Sequence, residues 1–79
     1  MVSTELDLHN LTKDEAVRLI QRTIVDNPKL DEIIAIHGYN NGQVLKKLLE
    51  NPHNIHNKRV KYTTEGWNEG MTIIVLNKA

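Results

Sequence analysis

The chain has 79 residues, of which 39% are hydrophobic and 25% are charged, a composition typical of a single globular domain. It contains no cysteine, which excludes a disulfide framework and the common cysteine-based zinc sites. Ten basic and ten acidic residues balance to a formal charge of zero. This balance argues against a general nucleic-acid coat, but not against an enzyme that touches a few phosphates.

The chain also lacks the usual signals for export or membrane insertion. Its first residues show no basic region followed by an apolar run, and no segment approaches the length of a transmembrane helix. A small domain without disulfides is compatible with the reducing cytoplasm. We therefore expect a cytoplasmic, monomeric protein with no membrane partner, organised as one domain over residues 1–79.

The first third of the chain predicts a strand followed by a helix. Residues 2–8 read as a strand whose tail alternates between apolar and polar side chains. Thr12, with Glu15 three residues later, forms a capping-box pattern that predicts the start of the helix. The apolar side chains of this helix recur at helical spacing and leave Arg18 and Arg22 elsewhere, so we expect both arginines to be exposed.

The rest of the chain predicts a strand, a short helix and a hairpin. The continuous apolar run 33–36 is typical of a strand that is covered on both faces. Residues 44–49 have helical periodicity, residues 52–58 read as a polar connection, and residues 60–64 and 71–76 read as paired strands. The order β-α-β-α-β-β predicts that the first two strands are parallel and the last two antiparallel. We expect an α/β sandwich in which two helices pack on a mixed four-stranded sheet.

Two histidines end the first two predicted strands, His9 the first and His37 the second. The carboxyl ends of parallel strands meet at one edge of a sheet, where open α/β sheets place ligands, so His9 and His37 become neighbours there. Either imidazole can act as a base or an acid near neutral pH. Asp7 lies on the same strand face as His9 and can orient its ring, or the two form a local polar patch. We predict that Asp7, His9 and His37 are catalytic and cluster at this edge.

The loop after His37 is rich in turn residues and leads into the second helix. Backbone amides at a helix N-terminus can hold a phosphate, and glycines permit its close approach. The alternative is a plain strand-to-helix turn. The predicted substrate-binding residues are this loop and two lysines of the helix, namely Gly38, Tyr39, Asn40, Asn41, Gly42, Lys46 and Lys47.

Three motifs resemble the small MutS-related (Smr) domain family. Leu6-Asp7-Leu8-His9 matches the LDLH signature that opens these domains, and Ile36-His37-Gly38 followed by Gly42 matches their HGxGxG loop. Residues 70–76 resemble their closing, glycine-led strand. The motifs occur in the order of the family, and the match covers nearly the whole chain.

The resemblance implies a fold like the C-terminal domain of bacterial translation initiation factor three. It also implies endonuclease activity on RNA or DNA, in mismatch-repair-related proteins or in the cutting of messenger RNA at stalled ribosomes. The implied partners are nucleic acid and, as a further candidate, the ribosome. In that family the Asp-x-His motif and the glycine loop are the functional sites, which here means Asp7, His9, His37 and Gly38.

The chain departs from the family pattern at several positions. Asn10 stands where a glycine usually follows the LDLH signature, and Asn40 replaces the middle glycine of the loop. Asparagine tolerates left-handed backbone geometry, so we expect both turns to be preserved. Leu45 occupies the place of a common arginine, with Lys46 and Lys47 beside it.

The leading hypothesis is a phosphodiesterase acting on nucleic acid. With RNA, the neighbouring 2′-hydroxyl attacks, one histidine takes its proton and the other protonates the leaving oxygen, with no cofactor. With DNA, water must attack, and a divalent metal with Asp7 as ligand becomes the expectation. The alternative is a non-catalytic module that binds RNA or a ribosomal surface.

Three further features have two interpretations each. His53 and His56 are either a metal-binding pair or exposed loop histidines, and we favour the latter because no carboxylate accompanies them. Trp67 either stacks on a base or packs against the core. Lys58, Arg59 and Lys61 either contact phosphates or form a solvated sheet edge, and we favour the solvated edge.

Overall fold

The computed structural model describes residues 1–39 and 43–79. Its elements are β1 (Ser3–Asp7), α1 (Lys13–Asp26), β2 (Glu32–Ile36), α2 (Gln43–Glu50), a 3-10 helix (Pro52–Ile55), β3 (Val60–Glu65) and β4 (Met71–Leu76). This order confirms the predicted β-α-β-α-β-β arrangement and adds the 3-10 helix within the predicted polar connection. Within the described ranges, no helix has the length and apolar character needed to cross a membrane.

The four strands form one mixed sheet in the order β1-β2-β4-β3. β1 and β2 are parallel, with Leu6 opposite Ala35 and Asp7 opposite Ile36. β4 is antiparallel to both β2 and β3, and Met71 at its start lies opposite Ile36. The parallel pair follows from the crossover through α1, as predicted. The ends of β1 and β2 therefore meet the start of β4 at one edge of the sheet.

The capping box sets the start of α1. Thr12 Oγ1 accepts a hydrogen bond from the Glu15 amide at 3.2 Å, and Glu15 Oε1 accepts one from the Thr12 amide at 2.9 Å. The helix buries one face, formed by Ala16, Ile20 and Ile24. Arg18 and Arg22 are exposed, which confirms their predicted place off the apolar stripe.

The core lies between the helices and one face of the sheet. Its members are Leu8, Ala16, Ile20, Ile24, Leu30, Ile33, Ala35, Leu45, Leu49, Ile55, Ile74 and Leu76. Because α1 and α2 both contribute to this one cluster, they pack on the same face of the sheet. From β2, Ile33 and Ala35 enter this core, whereas Ile34 alternates to the other face.

The prediction that β2 is covered on both faces is therefore wrong for the second face, because both helices pack on the core face. Ile34 is buried all the same, with 6% of its surface exposed. β2 is an interior strand, and Ile34 lies between Glu5 of β1 and Ile73 of β4 in the register. Neighbouring side chains of the sheet thus shield it, and a single layer of helices is sufficient to explain the continuous apolar run.

Arg59 joins the C-terminal end of α1 to the edge of the sheet. Its guanidinium donates hydrogen bonds of 2.8 to 3.1 Å to the carbonyls of Ile24, Asn27, Pro28, Leu30 and Asn77. The last carbonyls of a helix lack partners within the helix, and the rigid arginine fork can supply several donors at once. The favoured solvated-edge interpretation is wrong for Arg59, because its donors are used inside the fold, but it holds for Lys58 and Lys61, which are exposed. Contact of this segment with phosphates stays a hypothesis.

Candidate functional site

Backbone hydrogen bonds hold three loops together at the carboxyl ends of β1 and β2. The Leu8 amide donates to the Ile36 carbonyl at 2.7 Å, which extends the parallel pairing past the end of β1. The amides of His37 and Gly38 both donate to the Gly70 carbonyl, at 3.0 and 3.1 Å. The segments that follow β1 and β2 and the segment that precedes β4 are therefore fixed side by side.

Asp7 and His9 form a polar pair at this edge. Oδ1 of Asp7 accepts hydrogen bonds from Nδ1 of the His9 ring and, at 3.2 Å, from the His9 amide. Both side chains are 59% exposed. These two bonds, chiefly the one from the ring, hold the pKa of the Asp7 carboxyl below its ordinary value. An ionised carboxylate can only accept, so Nδ1 carries the proton and Nε2 holds the lone pair of a neutral His9.

A tight turn positions His9. β1 ends at Asp7, so His9 lies in the turn rather than at the strand end that the sequence suggested. Asn10 adopts a left-handed φ of 66°, which asparagine tolerates, and the turn predicted to survive the loss of glycine is present. Gly38 has a φ of 81°, and a Cβ atom placed on it would lie 3.8 Å from Cβ of His9. The two loops thus lie close together.

His37 lies at the same edge, but its ring is buried on the core face. It is 2% exposed. Nδ1 lies 3.3 Å from the Gly38 carbonyl and so donates to it, which leaves Nε2 to accept from Thr72 Oγ1 at 3.0 Å. Burial lowers the pKa of His37, the Gly38 bond opposes this effect, and the charge of Lys46 adds to it. Burial thus favours the neutral ring, in which both nitrogens are engaged.

The parallel pairing of β1 and β2 confirms that Asp7, His9 and His37 lie at one end of the sheet. The structure joins Asp7 to His9 by hydrogen bonds and directs His37 toward the opposite face. Their catalytic assignment stays a prediction. For His37, that assignment requires the buried ring to give up a hydrogen bond and to turn away from the core face before it can reach a substrate.

The other predicted site residues lie around this edge. Tyr39 is 61% exposed, and a Cβ atom placed on Gly70 would lie 3.4 Å from its ring. Lys46 is half-buried on α2, whereas Lys47 is exposed. Three predicted residues lie outside the described residues, namely Asn40, Asn41 and Gly42.

The structure shows the environment of two residues, Thr72 and Trp67, that the sequence left open. Thr72 was not predicted as part of the site, yet it is buried and bonded to His37. A polar residue at a core-facing position of an otherwise apolar strand was the available signal. Trp67 is 72% exposed, so packing against the core is wrong for it.

Histidine and acidic side chains form no larger cluster in the part of the chain that the structure describes. Over residues 1–39 and 43–79, no group of three or more side chains of the metal-binding types is found. His53 and His56 are exposed, as the favoured interpretation expected. Among the described residues, Asp7 and His9 thus have no third metal-binding side chain beside them.

The stability of the domain should depend on pH through His37. The folded pKa lies below the ordinary value of about 6.5, so the unfolded chain binds more protons just below that pH. We expect the urea midpoint to fall as the pH is lowered from about 7.5 to about 5, and to fall less in His37→Gln. The lowered pKa values of Asp7, Glu15 and Asp31 act at more acidic pH. Equal pH slopes in the two proteins would contradict this expectation.

The fold and its edge define a class of protein: a small mixed α/β domain with an exposed Asp–His pair beyond the ends of two parallel strands. No family model matches the sequence, and no curated protein matches it significantly. Among solved structures, the chain is similar to the Smr domain of Thermus thermophilus MutS2, with a TM-score of 0.76 and 22% identity. The alignment covers 94% of this chain and 98% of that one. The chain therefore has the fold of an Smr domain, as the sequence motifs predicted.

Proposed function

We propose that this domain is an endonuclease of the Smr type that cleaves phosphodiester bonds in RNA. The observation that carries the proposal is the Asp7–His9 pair. The Asp7 carboxylate accepts from Nδ1, so a neutral His9 holds its lone pair on Nε2. An exposed imidazole with a fixed tautomer is a suitable general base for a substrate hydroxyl.

In the proposed reaction, Nε2 of His9 takes the proton of a ribose 2′-hydroxyl. The 2′-oxygen attacks the adjacent phosphorus, the bond from phosphorus to the 5′-oxygen breaks, and that oxygen takes up a proton. The products are a 2′,3′-cyclic phosphate and a 5′-hydroxyl. Before His37 supplies the second proton, its neutral ring would have to take up a proton, release Thr72 or the Gly38 carbonyl and turn away from the core face. Without that movement, His37 acts as a positioning residue for the loop, and water supplies the proton.

Two further observations support the proposal. The fold is shared with an Smr domain, and the LDLH and HG motifs lie at the edge where the fold brings strand ends together. Nucleic acid as the partner follows from the same resemblance. The ribosome as a further partner, the cytoplasmic location and the monomeric state remain predictions, as does nicking of DNA with a metal bound to Asp7.

The test is incubation with end-labelled single-stranded RNA and with supercoiled DNA, each with and without a chelator. We expect RNA cleavage that resists the chelator, yields cyclic phosphate ends and fails on RNA with 2′-O-methyl groups. DNA nicking that the chelator abolishes would replace this reaction with metal-assisted attack by water. Binding without any cleavage would make the domain a nucleic-acid-binding module.

A further inference from the structure

A cleft of about 470 Å³ opens between α2 and the β3–β4 hairpin. This volume lies within the range of small-ligand pockets in proteins. α2 contributes Lys46 and Glu50 to its walls, β3 contributes Glu65, and the hairpin loop contributes Trp67 and Glu69. The cleft is open enough to admit a planar group from solvent, and it is not part of the Asp7–His9 pair.

The cleft adjoins the candidate site through a continuous series of contacts. Thr72 lines it and bonds to His37. The carbonyl of Gly70, two residues earlier, accepts from the amides of His37 and Gly38, and Gly38 lies close to His9. The cleft is therefore joined to the loop of the Asp7–His9 pair through Thr72, His37 and Gly38.

Trp67 is the one aromatic side chain among the described residues that line the cleft, beside the apolar Met71. It is the one tryptophan of the chain, and 72% of its surface is exposed. The core does not use this indole, so it adds little to folding while leaving a large aromatic face in water. Such a face is a stacking platform for nucleobases, which bind aromatic side chains through their own flat surfaces.

The charges around the cleft favour a base over a phosphate. Three carboxylates line it, those of Glu50, Glu65 and Glu69, against the single ammonium of Lys46. Carboxylates only accept hydrogen bonds, so they repel phosphate and attract amino and ring N–H groups. Guanine presents a ring N–H beside an amino group and can match both oxygens of one carboxylate, whereas uracil has no amino group.

We propose that this cleft binds an unpaired nucleobase of the substrate, stacked on Trp67, with guanine preferred over uracil. That this base belongs to the RNA that is cleaved rests on the proposed function. A paired base cannot enter, because its hydrogen-bonding edge and both faces are already occupied in a duplex. The substrate class is therefore single-stranded RNA, or an unpaired loop, with an amino-bearing base that occupies the cleft.

The test uses the fluorescence of Trp67, which reports on this cleft because the chain has no other tryptophan. Two pentamers with 2′-O-methyl groups, UUGUU and UUUUU, bind without being cleaved. We expect saturable quenching by UUGUU and a dissociation constant about tenfold larger for UUUUU. Equal affinities for the two pentamers, or binding without quenching, would overturn the proposal.

Variants separate the stacking surface from the carboxylates. By anisotropy of labelled UUGUU, Trp67→Ala should bind about tenfold to a hundredfold more weakly, and Trp67→Phe should retain most of the affinity. Tyr62→Ala, which removes another exposed aromatic ring from β3, is the matched control and should bind as the wild type does. Replacing Glu50, Glu65 and Glu69 together by glutamine should abolish the guanine preference. An unchanged affinity in Trp67→Ala would overturn the stacking, and an unchanged preference in the triple variant would overturn the carboxylate recognition.

These binding measurements are independent of cleavage. Fluorescence quenching by UUGUU in a protein that cuts no RNA would support the proposed base-binding cleft and contradict the proposed endonuclease activity. Cleavage of UUGUU RNA with the same KM in Trp67→Ala and the wild type would support the proposed endonuclease activity. It would contradict the proposal that the cleft binds a base of the substrate. Thermal melting of each variant shows whether it is folded. We expect Trp67→Ala to fold, because the Trp67 side chain is exposed and lies outside the core.

Discussion

His9→Ala should lower the rate of RNA cleavage by about a hundredfold to ten-thousandfold, the range that a general base contributes. The side chain is 59% exposed and lies in a turn outside the core, so the melting temperature should stay close to that of the wild type. The measurements are single-turnover cleavage and thermal melting of the same preparations. Full activity in a folded His9→Ala protein would remove the proposed mechanism.

Two neighbouring variants complete this test. Asp7→Asn should lose less activity than His9→Ala if Asp7 only orients the ring, and about as much if Asp7 binds a metal. Sensitivity to a chelator distinguishes these two roles. Leu8→Ala is the structural control, because Leu8 is fully buried on the opposite face of the strand. It should lower the free energy of unfolding by about 2–5 kcal/mol, with activity lost only as the protein unfolds.

Arg59→Met should lower the free energy of unfolding by about 3 kcal/mol, a large fraction of the stability of a small domain. The methionine keeps much of the apolar stem but removes all five hydrogen bonds to backbone carbonyls. The two bonds that matter most are those to Ile24 and Leu30, at 2.8 Å each, because they are partly shielded from water. The others are exposed, and water can replace them at little cost.

Urea denaturation measures this loss, with exposed neighbours as controls. Arg59→Lys should recover only part of the stability, because one ammonium cannot reproduce the planar fork. Lys58→Ala and Lys61→Ala alter charges in the same segment but should change the free energy of unfolding by no more than about 0.5 kcal/mol. A loss in Arg59→Met as small as in these controls would show that the carbonyls are satisfied equally well by water.

The elements of the fold could be predicted because their signals are local. The capping box of Thr12 and Glu15 lies within one helical turn, and the alternation in β1 and β4 reports directly which side chains face the core. The Asp7–His9 pair could be predicted for the same reason, since its members are two residues apart. The parallel pairing of β1 and β2 needed one topological rule in addition, the handedness of the crossover.

Contacts between residues that are distant in sequence could be identified only from the tertiary structure. His37 and Thr72 are 35 residues apart, and Arg59 reaches Ile24 across the same separation. Such pairs are set by the register of β4 against β2 and by where the chain returns past the end of α1, neither of which leaves a local pattern. The sequence motif and the parallel pairing predicted the edge of the sheet at which His37 lies. The alternation of side chains along β2 then turned its ring into the core, because Asp7 and Ile36 are opposite each other in the register and His37 is the next residue after Ile36.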